Sequence, residues 1–110
     1  MYTIRYTGEF KRQMRLCLRR GYDMAQLHEV ICLLSVDGKL PDKYRPHVLH
    51  GNRQGQWECH VQPDWLLIWE QHDQELVLIM LNTGTHADVL RGDVQDVFYN
   101  LQELRCLIFQ

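Results

Sequence analysis

Leu76-Val77-Leu78-Ile79-Met80-Leu81 is the stretch on which the fold turns. An apolar run with no charge and no break suits a strand covered on both faces, because a half-exposed strand would alternate. Just upstream, Trp65-Leu66-Leu67-Ile68-Trp69-Glu70 reads as its partner across a turn at His72-Asp73-Gln74. Two further strand-like runs come before these, Trp57 to Val61 and His47 to Leu49, behind a polar connector from Pro41 to Pro46.

Toward the N-terminus the period changes. Tyr2 to Tyr6 alternates as an opening strand, and Thr7 is placed to cap a helix with Glu9 near its positive end. Phe10, Met14, Cys17 and Leu18 recur at helical steps, and Gly21 ends the run. Asp23 with Gln26 has the form of a capping box for a second helix, whose apolar stripe is Met24, Leu27, Ile31 and Leu34 and whose end is Asp37-Gly38. So short a link between the two predicts an antiparallel helical hairpin. Beyond the strands, Val94, Val97, Phe98, Leu101, Leu104 and Ile108 predict another helix from Asp93 onward. The expected class is α+β: an N-terminal strand and helical hairpin packed on a mostly antiparallel four-stranded sheet, with an extra C-terminal helix.

A chain of 110 residues, 45% of them hydrophobic, can bury one core without metal or disulfide staples and is too short for two domains. Its start lacks the charged lead and apolar block of a signal peptide, and no long uncharged apolar run occurs, so the expected setting is cytoplasmic with no membrane role. Cys17, Cys32, Cys59 and Cys106 form no Cys-x-x-Cys pair and each sits among apolar neighbours; they are read as reduced core thiols. A net charge of −2 argues against a nucleic-acid partner until its distribution is considered. Lys11, Arg12, Arg15, Arg19 and Arg20 crowd one helical stretch while the second half is acidic. Such a stripe is either a solvated face or a phosphate-binding one.

Six histidines invite a metal or catalytic reading. His47 and His50 are three apart in a predicted strand, which points them to opposite faces, so no metal site is expected. His47, His60, Asp64 and His86 all fall near strand ends, where a sheet can gather them. Imidazoles titrating near neutrality, with a carboxylate, can supply the proton steps of metal-independent RNA cleavage. Pattern alone favours scattered surface histidines and a turn aspartate over a site.

His60-Val61-Gln62-Pro63-Asp64-Trp65-Leu66-Leu67-Ile68-Trp69 resembles the His-Val-x-Pro-Asp-Trp-x-Leu-Ile-Tyr segment of YafQ-type toxins in the RelE/ParE superfamily. Thr83-Gly84-Thr85-His86 matches their closing Thr-Gly-Thr-His, and His47-Val48-Leu49-His50-Gly51 their His-x-Leu-x-Gly. Tyr6 to Arg12 and Leu40-Pro41 also fit. The likeness covers residues 2 to 90 in order, so residues 1–90 are expected to form the toxin domain and 91–110 a helical extension. That tail either covers a core edge or serves self-association or shielding of the site.

The resemblance implies a type II toxin that cuts messenger RNA in the ribosomal A site and is held inactive by a cognate antitoxin in a hetero-oligomer. It makes His47, His60, Asp64 and His86 the catalytic set. His60 and Asp64 would serve the 2′-hydroxyl, His86 would be the general acid, and His47 would position the phosphate, with Glu58 a weaker neighbour. It also assigns Lys11, Arg12, Arg15 and Arg19 to ribosomal (16S) RNA. Trp57, Trp65 and Trp69 are read as core, with Trp65, beside Asp64, the one candidate stacking surface. Two positions depart from the family pattern. Asn82, itself carried over as an RNA contact, stands where relatives usually carry an arginine, which leaves either slower cleavage or substitution by Arg45, Arg53 or another cation. Leu90 stands where they tend to carry an aromatic. The competing readings are a gyrase-inhibiting ParE-like toxin or a decayed member that only binds, and a general RNA-binding domain.

Overall fold

The structure, a computed structural model, describes residues 1–91. The helix expected from Asp93 and Cys106 lie outside the described residues. Within them the chain forms β1 (Thr3–Tyr6), α1 (Gly8–Arg19), α2 (Met24–Asp37), β2 (His47–Val48), β3 (Trp57–Gln62), β4 (Trp65–His72), β5 (Val77–Gly84) and α3 (His86–Arg91). Single 3-10 turns occur at Asp42–Tyr44 and Gly51–Arg53. The α+β class is as expected, and the sheet has five strands rather than four. The opening strand is part of it, in the order β1-β5-β4-β3-β2, with β1 parallel to β5 and the other pairs antiparallel. A parallel pair needs a crossover, and the hairpin of α1 and α2, with the three strands after it, supplies one.

The apolar run is an interior strand, as its composition demands. Leu78 and Met80 of β5 face Phe10 and Cys17 of α1 and Leu27, Val30 and Leu34 of α2, together with Cys59, Trp65, Leu67 and Trp69. On the other face Ile79 and Leu81 meet Leu66, Ile68 and Val89 of α3. The register shifts between Ile68 and Trp69, which pair with Asn82 and Met80, so Leu81 is the extra residue of a bulge.

Thr7 ties the layers together. Its hydroxyl accepts from the Phe10 amide at 3.0 Å as the cap of α1 and donates to the Leu81 carbonyl at 3.1 Å. Asp23 caps α2 through the Ala25 amide, but the reciprocal half of the expected capping box is absent, since the Gln26 side chain is engaged by Gln62. Gly38 takes the left-handed conformation that closes α2. Cys17 and Cys59 are buried thiols, and burial pushes both up in pKa, away from reactive thiolate. Cys32 is exposed, contrary to the expectation for all four cysteines. It falls one residue past Ile31 on α2, outside the inward stripe of Leu27, Val30, Ile31 and Leu34. Among the described residues no helix is long and apolar enough to cross a membrane.

Candidate active site

Strand alternation divides β3 between the two faces. Trp57, Cys59 and Val61 turn toward the helical hairpin. Glu58 and His60 pair with Ile68 and Leu66, and so stand on the opposite face. His47 of β2 pairs with Glu58 and joins them. His86 opens α3, which rests on that same face through Val89. Asp64 lies in the tight turn between β3 and β4. The four residues expected to form the site are thereby brought together. Ring centroids of His47 and His60 lie 6.4 Å apart and those of His60 and His86 6.3 Å apart, and Asp64 Oδ1 is 3.7 Å from His86 Nδ1.

Each ring is oriented by its own contacts. His47 Nδ1 lies 2.8 Å from the Arg45 carbonyl oxygen and its Nε2 3.1 Å from Glu58 Oε1. Both neighbours are acceptors, so the two contacts together fix the plane of the ring. Arg45 is left-handed, with φ 51°, at the end of the turn Asp42–Tyr44. A residue with a side chain seldom takes that conformation. His60 Nδ1 lies 3.3 Å from the Pro63 carbonyl oxygen. A carbonyl only accepts, so this nitrogen donates and Nε2 is the one left for proton transfer. Asp64 approaches His86 rather than forming the expected unit with His60.

His86 is held from behind. Thr85 and Asp88 form a reciprocal cap at the start of α3: the Thr85 amide donates to Asp88 Oδ2 at 2.9 Å, and the Asp88 amide to Thr85 Oγ1 at 3.2 Å. Arg20, just past α1, grips both oxygens of Asp88, and this guanidinium holds the carboxyl at about 2, well below the usual range. None of Arg20, Asp88 or Thr85 was singled out in the sequence as a support for the site, although Thr85-x-x-Asp88 is a legible capping pattern. Glu58, given the weaker claim, is the direct partner of His47.

The site is open. Asp64 and His86 side chains are 79% and 59% exposed. Among the described residues no group of three or more His, Cys, Asp or Glu could hold a metal ion. Beside His86 a cavity of about 230 Å³ is lined by His50, Arg53, Glu58, Leu66 and Ile68 among others.

Residues 2–91 match the family model described as "Bacterial toxin of type II toxin-antitoxin system, YafQ". The chain belongs to the YafQ toxin family. It is 36% identical over 85 residues to the mRNA interferase toxin YafQ of Escherichia coli K12, a match covering 76% of this chain and 90% of the relative. The crystal structure of YafQ from E. coli BL21(DE3) superposes with a TM-score of 0.73 at 32% identity, covering 81% of this chain and 98% of that one. The toxin in the E. coli DinJ-YafQ complex gives 0.72 at 35% identity, covering 79% and 96%.

Against the YafQ family pattern, Asn82 is the departure with a structural answer. It is fully buried, so it is not the direct RNA contact expected of it. Its Oδ1 accepts from Arg53 Nη1 at 2.9 Å, and its Nδ2 donates to Gln13 Oε1 at 3.1 Å. Trp65 also needs correcting as a base-stacking surface: it is 3% exposed, packs edge-on against Tyr22, and donates from Nε1 to Thr83 Oγ1 at 2.9 Å. Ring burial on the hairpin side outweighs its position next to Asp64. Lys11, Arg12, Arg15, Arg19 and Arg45 are exposed, with Arg12 paired to Glu9.

Proposed function

We propose that this chain is a ribosome-dependent, metal-independent endoribonuclease that cleaves messenger RNA in the A site, as the toxin half of a toxin–antitoxin pair. The observation that carries the reading is the row His47, His60, His86, with successive centroids 6.4 and 6.3 Å apart, a spacing that lets one phosphodiester touch all three. His60, proton on Nδ1, takes the 2′-hydroxyl proton through Nε2. The 2′-oxygen attacks phosphorus, closing a 2′,3′-cyclic phosphate and breaking the bond to the 5′-oxygen. His86 donates a proton to that leaving oxygen, with Asp64 beside it to orient the ring. His47, held between the Arg45 carbonyl and Glu58, positions the phosphate. The proton steps thus need no group beyond these side chains.

Ribosome dependence is supported by the exposure of Asp64 and His86. A site this wet screens its own charges, and enclosure by a large partner restores them. The exposed cations of α1 suit sequence-independent contact with ribosomal RNA, sensitive to salt. The solved DinJ-YafQ complex of E. coli supports a cognate antitoxin as the second partner.

The test is to map messenger RNA ends on purified ribosomes with wild type, His60→Ala, Asp64→Ala and His86→Ala. A-site cuts by wild type, greatly weakened in the variants, are the expected result. Equal toxicity from all four proteins in a bacterial host, with altered supercoiling and intact messenger RNA, would hand the fold to gyrase inhibition instead.

A further inference from the structure

We propose that Arg53 is the phosphate-binding cation of this site and that buried Asn82 is the residue that positions it. The inference rests on the nuclease reading above. Phosphoryl transfer by imidazoles benefits from a permanent positive charge beside the phosphorane, and a guanidinium supplies it in a fork that fits two oxygens. Arg53 lines the cavity beside His86 together with Glu58. Its Nη1 donates to two neutral amide oxygens, Asn82 Oδ1 and Gln56 Oε1, each at 2.9 Å.

The anchor under it is rigid. Asn82 is 0% exposed, and its amide is fixed by Gln13, itself 1% exposed, whose Oε1 also accepts from the Thr83 amide at 3.0 Å. A buried amide held at both ends cannot swing, so it sets where the guanidinium sits. Arg53 belongs to the short turn Gly51–Arg53, a surface element that would otherwise leave a long side chain many rotamers. The charge that relatives carry on the last strand is thus carried by the loop before β3, and the strand keeps an amide to hold it.

The experiment measures single-turnover cleavage of ribosome-bound messenger RNA by wild type, Arg53→Gln, Arg53→Lys and the double variant Arg53→Ala/Asn82→Arg, with thermal melting of each and His86→Ala as the inactive reference. Arg53→Gln keeps a side-chain donor for Asn82 and loses the charge; it is expected to slow cleavage about 100-fold or more. Arg53→Lys keeps charge without the fork and is expected to lose about tenfold. The double variant returns an arginine to the strand and is expected to recover at least about tenfold over Arg53→Gln. Cleavage by folded Arg53→Gln within about threefold of wild type overturns the proposal and leaves the nuclease reading standing. So does an equal loss in all three variants, because charge is then not what was removed. A folded wild type that leaves messenger RNA intact overturns the nuclease reading and this inference with it.

Discussion

Arg20 and Asp88 hold each other through contacts of 2.5 and 3.1 Å across 68 positions of sequence, and so lock the end of α1 to the turn that presents His86. Asp88 serves two partners at once, capping the Thr85 amide on the inside and meeting the guanidinium on the outside. A single carboxylate therefore fixes both the start of α3 and its distance from the helical hairpin.

Asp88→Asn is expected to lower stability by about 1–2 kcal/mol at neutral pH, allowing for solvent around the partly exposed Arg20. The dependence on pH has a definite sign. The folded-state carboxyl is depressed to about 2, against about 3.9 in an unfolded chain. Its contribution is complete above pH ~4 and disappears as pH falls through ~2. Urea unfolding of both proteins from pH 7 to pH 2 checks this. The gap between them should close at the acid end; a gap of constant size would show that the charge on Asp88 is not what stabilises the turn.

Gly84→Ala tests the same turn from the other side. Gly84 has φ +141°, and an added Cβ would meet Asp88 Oδ2 at 2.6 Å and Asp88 Cβ at 2.9 Å. The expected cost is about 1–3 kcal/mol, with cleavage reduced at least about tenfold as His86 moves with its cap. Gly21→Ala is the matched control. It shares a positive φ of +86° but its Cβ would meet nothing within 4 Å. It should lose about 1 kcal/mol of stability and keep full cleavage. Equal catalytic losses in the two variants would show general loosening rather than displacement of His86.

Gln13→Met removes the amide beneath Asn82 while roughly keeping side-chain volume. Gln13 Oε1 accepts from both Asn82 Nδ2 and the Thr83 amide, and all three groups are buried. Two stranded donors cost about 1–3 kcal/mol each, so a loss of about 2–6 kcal/mol is expected from chemical denaturation. A change under 1 kcal/mol would mean that water replaces the glutamine, and that Asn82 is less firmly held than the geometry implies.

Local chemistry in the chain foretold much of the frame. The run Leu76–Leu81 announces an interior strand because its residues allow no wet face, and Thr7 and Gly38 stand where helix ends need them. The alternation of Trp57, Cys59 and Val61 with Glu58 and His60 already places the two polar residues on one face. What was not legible depends on distance along the chain. The parallel docking of β1 on β5 leaves no local mark, and neither does the reach of Arg20 to Asp88 or of Arg53 to Asn82. The histidine row itself was legible through its resemblance to a known family and not through spacing, since His47, His60 and His86 meet only after three strands are in register. Trp65 misled because adjacency to Asp64 says nothing of which face a ring takes; strand parity turns it inward with Leu67 and Trp69.

Glu58→Gln is the variant that isolates the role of His47. The ring sits between the Arg45 carbonyl and the Glu58 carboxylate, with Nδ1 2.8 Å from one and Nε2 3.1 Å from the other. Glutamine keeps an oxygen at the same reach but removes the negative charge beside the ring. The His47 side chain is 46% exposed, so the pair adds little to folding, and stability should stay within about 1 kcal/mol of wild type. Cleavage should fall about tenfold, as the ring loses the carboxylate that orients it toward the phosphate. A variant that cleaves as fast as wild type would show that His47 needs no carboxylate, and would return Glu58 to the role of an ordinary cross-strand partner.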